Sequence, residues 1–454
     1  MSEANQGFRF LFAMFQGGGN IPLIMPIVTE LVSRGHKVRI LAGPGIRPGL
    51  NAGQESRSID RAARPVSEGF LRRIAESGAT YVPLSEPTTN PYVSAPPLRG
   101  LMFGWMPERF VSIATNSART TLWSDTWARN VAEQVRQQPV DAVVADYWLL
   151  GALAAAEAAG IPRAVIVHNA FPPNAAGQPP KGSGLLPAQT LPERARQALW
   201  QWAYDRVWTR DGLPAHNQAR LALGLPPLRS PFDEYDSAQR VLVTGTEAFD
   251  FPARRLAPNI RYVGTPIDDK DALPGSWSSP WPAEDARPLV LVSLSTLSQG
   301  QAPAMHRILE AVRQMPVRAL VTLGPSLNKD EFTSSPNVVF EPFTPHSAVL
   351  PHVAAIVSQC GLGTLSKALT HGVPLLCIPL VGDQPDNAAR IVAHGAGLRL
   401  LPGASAEQIR ASLSKVLDVP GYRAAAQRMG MQIAQTTPEI TAANELEAVA
   451  SRRA

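Results

Sequence analysis

Short apolar runs alternate along this chain with stretches of helical period, and the alternation repeats often enough to set the architecture. Phe8 to Phe15 reads as a buried strand, Gln16 to Asn20 as a glycine turn, Pro22 to Ser33 as a helix and Lys37 to Ala42 as the next strand. From Val140 the same order returns: a strand ending at Asp146, a turn, an Ala-rich helix, and a strand ending at His168 and Asn169. A third instance opens at Pro288, where LVLVSLSTLSQG runs from an apolar strand into Ser295 and Thr296.

The stretch from Phe343 to Leu400 carries two strand–turn–helix units in succession. Ala354 to Val357 forms one run, Gly361 and Gly363 the turn, and a helix starts at Thr364; Val373 to Ile378 follows, then Asp383-Gln384-Pro385 opens another helix. Serial βαβ units predict an α/β protein with parallel sheets, whose ligands sit beyond the carboxyl ends of the strands. There the free N–H groups and dipole of a helix N-terminus suit a diphosphate, here at Gly361, Gly363 and Thr364. Asp383 and Gln384 pair an acceptor-only group with an amide, a set that fits vicinal sugar hydroxyls.

Taken together, this stretch resembles the donor-binding signature of the nucleotide-sugar-dependent glycosyltransferases of family 1, and in particular bacterial natural-product and macrolide glycosyltransferases. The resemblance implies the GT-B fold, two Rossmann-like domains facing each other across a cleft. It assigns Phe343 to the nucleotide base, Thr344 and His346 to the base edge, Gln359, Gly361, Gly363 and Thr364 to the phosphates, and Asp383 with Gln384 to the sugar. Ser295 and Thr296 fall where a second phosphate contact belongs. Two positions depart from the signature: the phosphate-side histidine is Gln359 and the ribose-side glutamate is Lys367.

The same comparison makes FQGGGNIPLIMPIVTELVSRGHKVRIL the first unit of the acceptor domain, whose loop ordinarily carries a catalytic histidine. That position is Gly19. Asp146 then looks like the surviving half of a His-Asp dyad, although a strand-end aspartate also suits the N-cap of the following helix. For His168 a satisfied core histidine is the plain alternative to a substitute base. The resemblance leaves open Asp146 as the base, His168 in its place, an acceptor acidic enough to need little help, and loss of catalysis in a nucleotide-sugar-binding relic or auxiliary partner. A GT-B enzyme acting on the donor sugar itself is a further rival.

Length suits two domains, and the Asp-, Pro-, Ser- and Trp-rich stretch 267–287 reads as the linker between them; the resemblance makes 1–266 the acceptor-binding domain, 288–420 the donor domain and 421–454 a segment returning to the first domain. The helix of roughly Gly421 to Gln435 is expected to make that crossing. At 454 residues, 45% hydrophobic and 17% charged, the chain has ample core for two domains. Apolar residues Leu101, Met102, Phe103, Trp105, Met106 and Phe110 read as core or as lining for a small apolar acceptor. The net charge of +5 comes from scattered arginines without basic runs, which argues against nucleic acid and leaves peripheral contact with an anionic membrane open. Two cysteines offer neither metal spacing nor a disulfide framework. No leader or membrane span is evident at the N-terminus, so a cytoplasmic location is expected. The resemblance implies a reaction that is inverting and metal-independent, needs no cofactor, and uses a UDP- or dTDP-linked sugar as cosubstrate.

Overall fold

A computed structural model describes residues 7–16, 19–43, 66–85, 120–172, 175–268, 277–294, 300–324, 327–342 and 344–453. In the first half the strands are β1 Arg9–Phe15, β2 Lys37–Gly43, β3 Thr80–Pro83, β4 Ala142–Asp146, β5 Arg163–Val167, β6 Arg240–Val243 and β7 Ile260–Tyr262. The second half supplies β8 Leu289–Ser293, β9 Arg318–Thr322, β10 Val338–Glu341, β11 Ala355–Ser358, β12 Leu375–Cys377 and β13 Gly397–Arg399. These form two parallel sheets, ordered β3-β2-β1-β4-β5-β6-β7 and β10-β9-β8-β11-β12-β13. Strands β4, β5, β8 and β11 are buried at every position, the pattern of a sheet covered by helices on both faces.

The helices of the first half are α1 Ile21–Ser33, α2 Glu68–Glu76, α3 Ser124–Gln137, α4 Leu150–Ala158, α5 Leu191–Val207, α6 Leu213–Ala222 and the short α7 Asp233–Asp236. Those of the second are α8 Ala302–Arg313, α9 His346–Val349, α10 Leu362–Thr370, α11 Gln384–Ala393, α12 Ala406–Asp418, α13 Pro420–Ala434 and α14 Pro438–Ala450. Local chemistry sets several of their ends. Thr190 and Glu193 make a reciprocal capping box at α5, as Ser405 and Gln408 do at α12. Gly151 packs α4 so tightly onto α3 that a Cβ would lie 1.8 Å from the Ser124 carbonyl oxygen, so no side chain fits there.

Both sheets change direction at their first strand: β1 lies between β2 and β4, and β8 between β9 and β11. A crevice opens at such a switch point. It holds the turns after β1 and β4 on one side, and the turn after β11 on the other.

The sequence reading is corrected at three places. The α10 helix starts at Leu362 rather than Thr364, because Gly361 takes an extended conformation and serves as its N-cap. The pattern from Pro192 to Arg210 predicts one continuous helix, but the helix ends at Val207 and passes through a π turn, Trp208–Gly212, into α6. The segment after Leu400 holds three helices, and α14 rather than the one near Gly421–Gln435 crosses to the first sheet. Gly430 of α13 seats against the Leu369 carbonyl, and Ala425, Ala426, Met429 and Ile433 join the second-sheet core. Ala442, Ala443, Leu446 and Val449 of α14 instead pack with Phe10, Ile24 and Ile27, and Glu447 pairs with Arg34 at 3.1 Å and His36 at 2.8 Å. The residues 436–437 ahead of Pro438 let the chain change sheets. The expected apolar cluster at 101–110 lies outside the described residues, as do 269–276 of the linker.

Candidate active site

Strand register brings the first group of side chains together. Asp146, the last residue of β4, stands opposite Ile166 of β5, so the residue two beyond Ile166 projects on the same face as Asp146. That residue is His168, and its Nδ1 lies 2.8 Å from Asp146 Oδ2. The ring N–H is not well directed for a full hydrogen bond, so the contact is one of distance, as catalytic pairs often are before substrate tightens them. Asp146 is held on both oxygens: Trp148 N donates to Oδ1 at 3.1 Å and Asn20 Nδ2 to Oδ2 at 3.3 Å. The N-cap of α4 is Leu149, so Asp146 caps the turn ahead of that helix and not the helix itself.

An aromatic wall fixes the imidazole in place. Tyr147, Trp148 and Phe15 meet His168 edge-on, with ring centroids at 4.9, 5.7 and 5.9 Å, and Phe15 stacks on Trp148 at 5.4 Å. The His168 side chain keeps 14% of its surface exposed while Asp146 keeps none. With Nδ1 turned to the carboxylate, Nε2 has no hydrogen-bond partner among the described residues. Gly19, one residue before Asn20, has open space where a Cβ would stand, and its φ lies outside the left-handed region.

Across the cleft, β11 ends in the phosphate-type turn. Cys360 is the non-glycine residue with positive φ among the described residues, 68°, a strained conformation that aims the chain into α10. The free N–H groups at the start of α10, Leu362 to Thr364, open on the crevice. Gln359 is buried beside them, and its amide nitrogen would lie 3.3 Å from a Cβ on Gly361. Asp383 is the N-cap of α11 and takes a hydrogen bond from Asn387 Nδ2 at 2.8 Å. It keeps some access to solvent, yet desolvation is the largest influence on its carboxyl and raises its pKa. Asn387 opposes that shift, and so do His168 and Lys181 from the first domain. The two domains thus present their charged groups to each other.

Gln384 behaves differently from its expected partner role. Its Oε1 accepts from Leu380 N at 2.8 Å and Val381 N at 3.0 Å, so its oxygen is committed to the loop before α11. Thr344 hydrogen-bonds Glu341, and His346 Nε2 stands 3.4 Å from Thr322 Oγ1 at the head of α9. Lys367, where the signature has an acid, donates to the Asp268 carbonyl in the linker at 3.1 Å. Ser295, Thr296 and Phe343 lie outside the described residues.

Several groups in the cleft carry no signal in the sequence. Lys181 reaches in from the loop between β5 and α5 and donates to Tyr147 OH at 3.0 Å, with Asn169 Nδ2 3.1 Å from the same oxygen. Desolvation lowers the Lys181 pKa to about 8, against the pull of Asp383, Asp386 and Asp146. Asp386 receives Gly182 N at 2.5 Å and Gly184 N at 2.8 Å, which fastens that loop to α11, and burial lifts its carboxyl to about 6. Nearby Arg390 pairs with Asp250 at 2.5 Å, and the two side chains are 4% and 1% exposed. Phe171 and Phe251 cover its guanidinium at 4.3 and 4.5 Å. Asn169 and Asn20 adjoin residues the sequence singles out, but Lys181 sits in a Pro/Gly loop without periodicity. Ser124, His216 and Glu234 also line up at 3.1 and 3.0 Å, but the imidazole is fully buried, so they form a structural network that no substrate can reach.

A histidine–carboxylate pair at one switch point faces a helix N-terminus and a carboxylate at the other, and the two parallel sheets that carry them form the GT-B architecture. The comparisons agree. Residues 306–449 match the family described as erythromycin biosynthesis protein CIII-like, C-terminal domain. The 4'-demethylrebeccamycin synthase of Lentzea aerocolonigenes is 27% identical over 452 residues, covering 97% of this chain and 99% of that protein. Among solved structures, the calicheamicin glycosyltransferase CalG4 superposes with a TM-score of 0.69 at 21% identity, covering 98% of this chain and 99% of its own. Glycosyltransferase VinC, solved in complex with dTDP, gives 0.66 at 20% identity over 98% and 100% of the two chains. Residues 306–449 thus match that C-terminal domain, and the chain as a whole has the GT-B fold of these natural-product glycosyltransferases.

Proposed function

We propose that this protein transfers a hexose or deoxyhexose from a UDP- or dTDP-linked donor to a small apolar acceptor with inversion, and that His168 is the base, oriented by Asp146. The observation that carries this reading is the 2.8 Å approach of His168 Nδ1 to Asp146 Oδ2 at adjoining strand ends. In that arrangement Nδ1–H faces the carboxylate and the Nε2 lone pair is free for the acceptor O–H. The acceptor oxygen attacks the anomeric carbon as Nε2 takes its proton. The bond from that carbon to the phosphate oxygen breaks on the opposite face, and its electron pair leaves with the nucleoside diphosphate.

The N-terminus of α10 neutralises the departing charge, with Gln359 as a neutral donor beside it. Asp383 holds sugar hydroxyls. Gln384 supports the same loop with its oxygen and contributes its amide. The dyad favours an active transferase over a relic, because a binding protein has no use for an oriented imidazole. Incubation with a panel of labelled UDP- and dTDP-sugars and phenolic or alcoholic acceptors tests it. The expected product is a glycoside of inverted anomeric configuration; a product of retained configuration, or a changed sugar nucleotide without any acceptor, would count against it.

A further inference from the structure

The α5 helix has an outer face unlike any other among the described residues. Its inner face buries Gln197, Ala203, Tyr204 and Val207. Outside, Leu191, Ala195, Leu199 and Trp202 follow at intervals of four, four and three residues, which is one stripe along a helix, about 16 Å long. Leu191 is 77% exposed, Leu199 46% and Trp202 53%, and Leu186 just before the helix adds 46%. Apolar side chains of this size so exposed and so aligned are rare on a surface that stays in water.

The fully exposed charges around the stripe are basic. Arg194 flanks it on one side and Arg196 on the other, Arg206 extends it, and all three are exposed. The two acids of α5 are half-exposed and bonded locally: Glu193 accepts the Gln189 and Thr190 N–H groups at 2.8 and 3.0 Å, and Asp205 accepts Gln201 Nε2 at 2.8 Å. A second copy docked symmetrically on this face would set arginine against arginine, with only the two locally bonded, half-exposed carboxylates of the helix to relieve it. An apolar stripe, a tryptophan near its end and flanking exposed arginines are instead the composition of a helix lying in the interface of an anionic bilayer.

We propose that the outer face of α5 docks this protein onto anionic lipid membranes, with the stripe in the headgroup boundary and the arginines on lipid phosphates. Residues Gln201 and Tyr204 of the same helix line a cavity with Lys181, Asp386 and Arg390, so docking sets the interdomain cleft beside the membrane surface.

The test is cosedimentation of the full chain with vesicles of phosphatidylcholine alone or mixed with phosphatidylglycerol, without any sugar donor, so its failure leaves the transfer reading untouched. The wild type is expected to pellet with the mixed vesicles at low salt, and to be released by salt and by the neutral vesicles. An Arg194→Glu/Arg196→Glu variant should bind on the order of 25-fold more weakly, about fivefold for each arginine lost. Leu199→Glu/Trp202→Glu should abolish binding, and both variants should keep the wild-type melting curve. Wild-type protein that stays in the supernatant with anionic vesicles overturns the proposal, as does equal pelleting of the folded variants. Sedimentation velocity showing a dimer that Leu199→Glu splits would also overturn it and assign the face to a second copy.

Discussion

Rebuilding the missing histidine separates a working dyad from a fortuitous contact. A Cβ placed on Gly19 meets nothing within 4 Å and the backbone there is not left-handed, so Gly19→His is expected to fold; the loss of glycine's freedom in the unfolded chain is itself worth about 0.4–1 kcal/mol of stability. In the wild type the new ring would compete with His168 for Asp146, whose Oδ2 already faces His168 at 2.8 Å and Asn20 at 3.3 Å. The substitution alone should therefore change the rate little. His168→Ala vacates that oxygen, and losing a positioned base should cost roughly 10²- to 10⁴-fold, about 3–5 kcal/mol of barrier. Adding Gly19→His to His168→Ala should recover at least about tenfold, because Asp146 can orient the new imidazole. Initial rates on a phenol and an alcohol, with thermal melting of each variant, decide it. Refutation would be a folded double variant no faster than His168→Ala, together with His168→Ala at the wild-type rate.

Asp383→Ala is expected to cripple transfer while leaving nucleoside diphosphate affinity intact by calorimetry; equal loss of both would put this carboxylate at the wrong end of the donor. Gln384→Ala should also destabilise the fold, by about 1–3 kcal/mol for each of the two backbone N–H groups it leaves unpaired, read as a lower melting temperature. Arg390→Met strands the buried Asp250 carboxylate and should cost about 3–5 kcal/mol, whereas Arg390→Met/Asp250→Leu should recover most of it; no recovery would mean the pair is not coupled. Asp386 has its pKa raised to about 6 from an ordinary 3.8, so the native state holds its proton more tightly and this group's contribution to stability falls as pH rises from about 4 to about 6. Asp386→Asn should remove that slope from melting curves taken across the window, and an unchanged slope would show that Asp386 does not titrate there.

What could be read from the sequence followed from period and position. Apolar runs with helical stretches between them gave the parallel units, and strand ends singled out Asp146 and His168. Whether His168 was a buried core residue or a reagent depended on register: only the pairing of Asp146 with Ile166 puts the two side chains on one face. Lys181 and the Asp250–Arg390 pair could not be found that way, since partners 140 residues apart meet only when the domains do, and a Pro/Gly loop has no period. The crossing helix was misplaced for a related reason. Both α13 and α14 bury a face rich in alanine and begin with proline, and the close seat of Gly430 on Leu369 marks which sheet α13 serves.

The central claim is that the His168 imidazole takes the acceptor proton, and chemical rescue tests it most directly. With His168→Ala protein, a nucleotide sugar and a phenolic acceptor, added imidazole should raise the transfer rate with concentration, by about tenfold or more, as it diffuses into the vacated space beside Asp146. The same additive should leave the wild type unaffected. A His168→Ala rate that ignores imidazole, or one already equal to the wild type, would contradict the account.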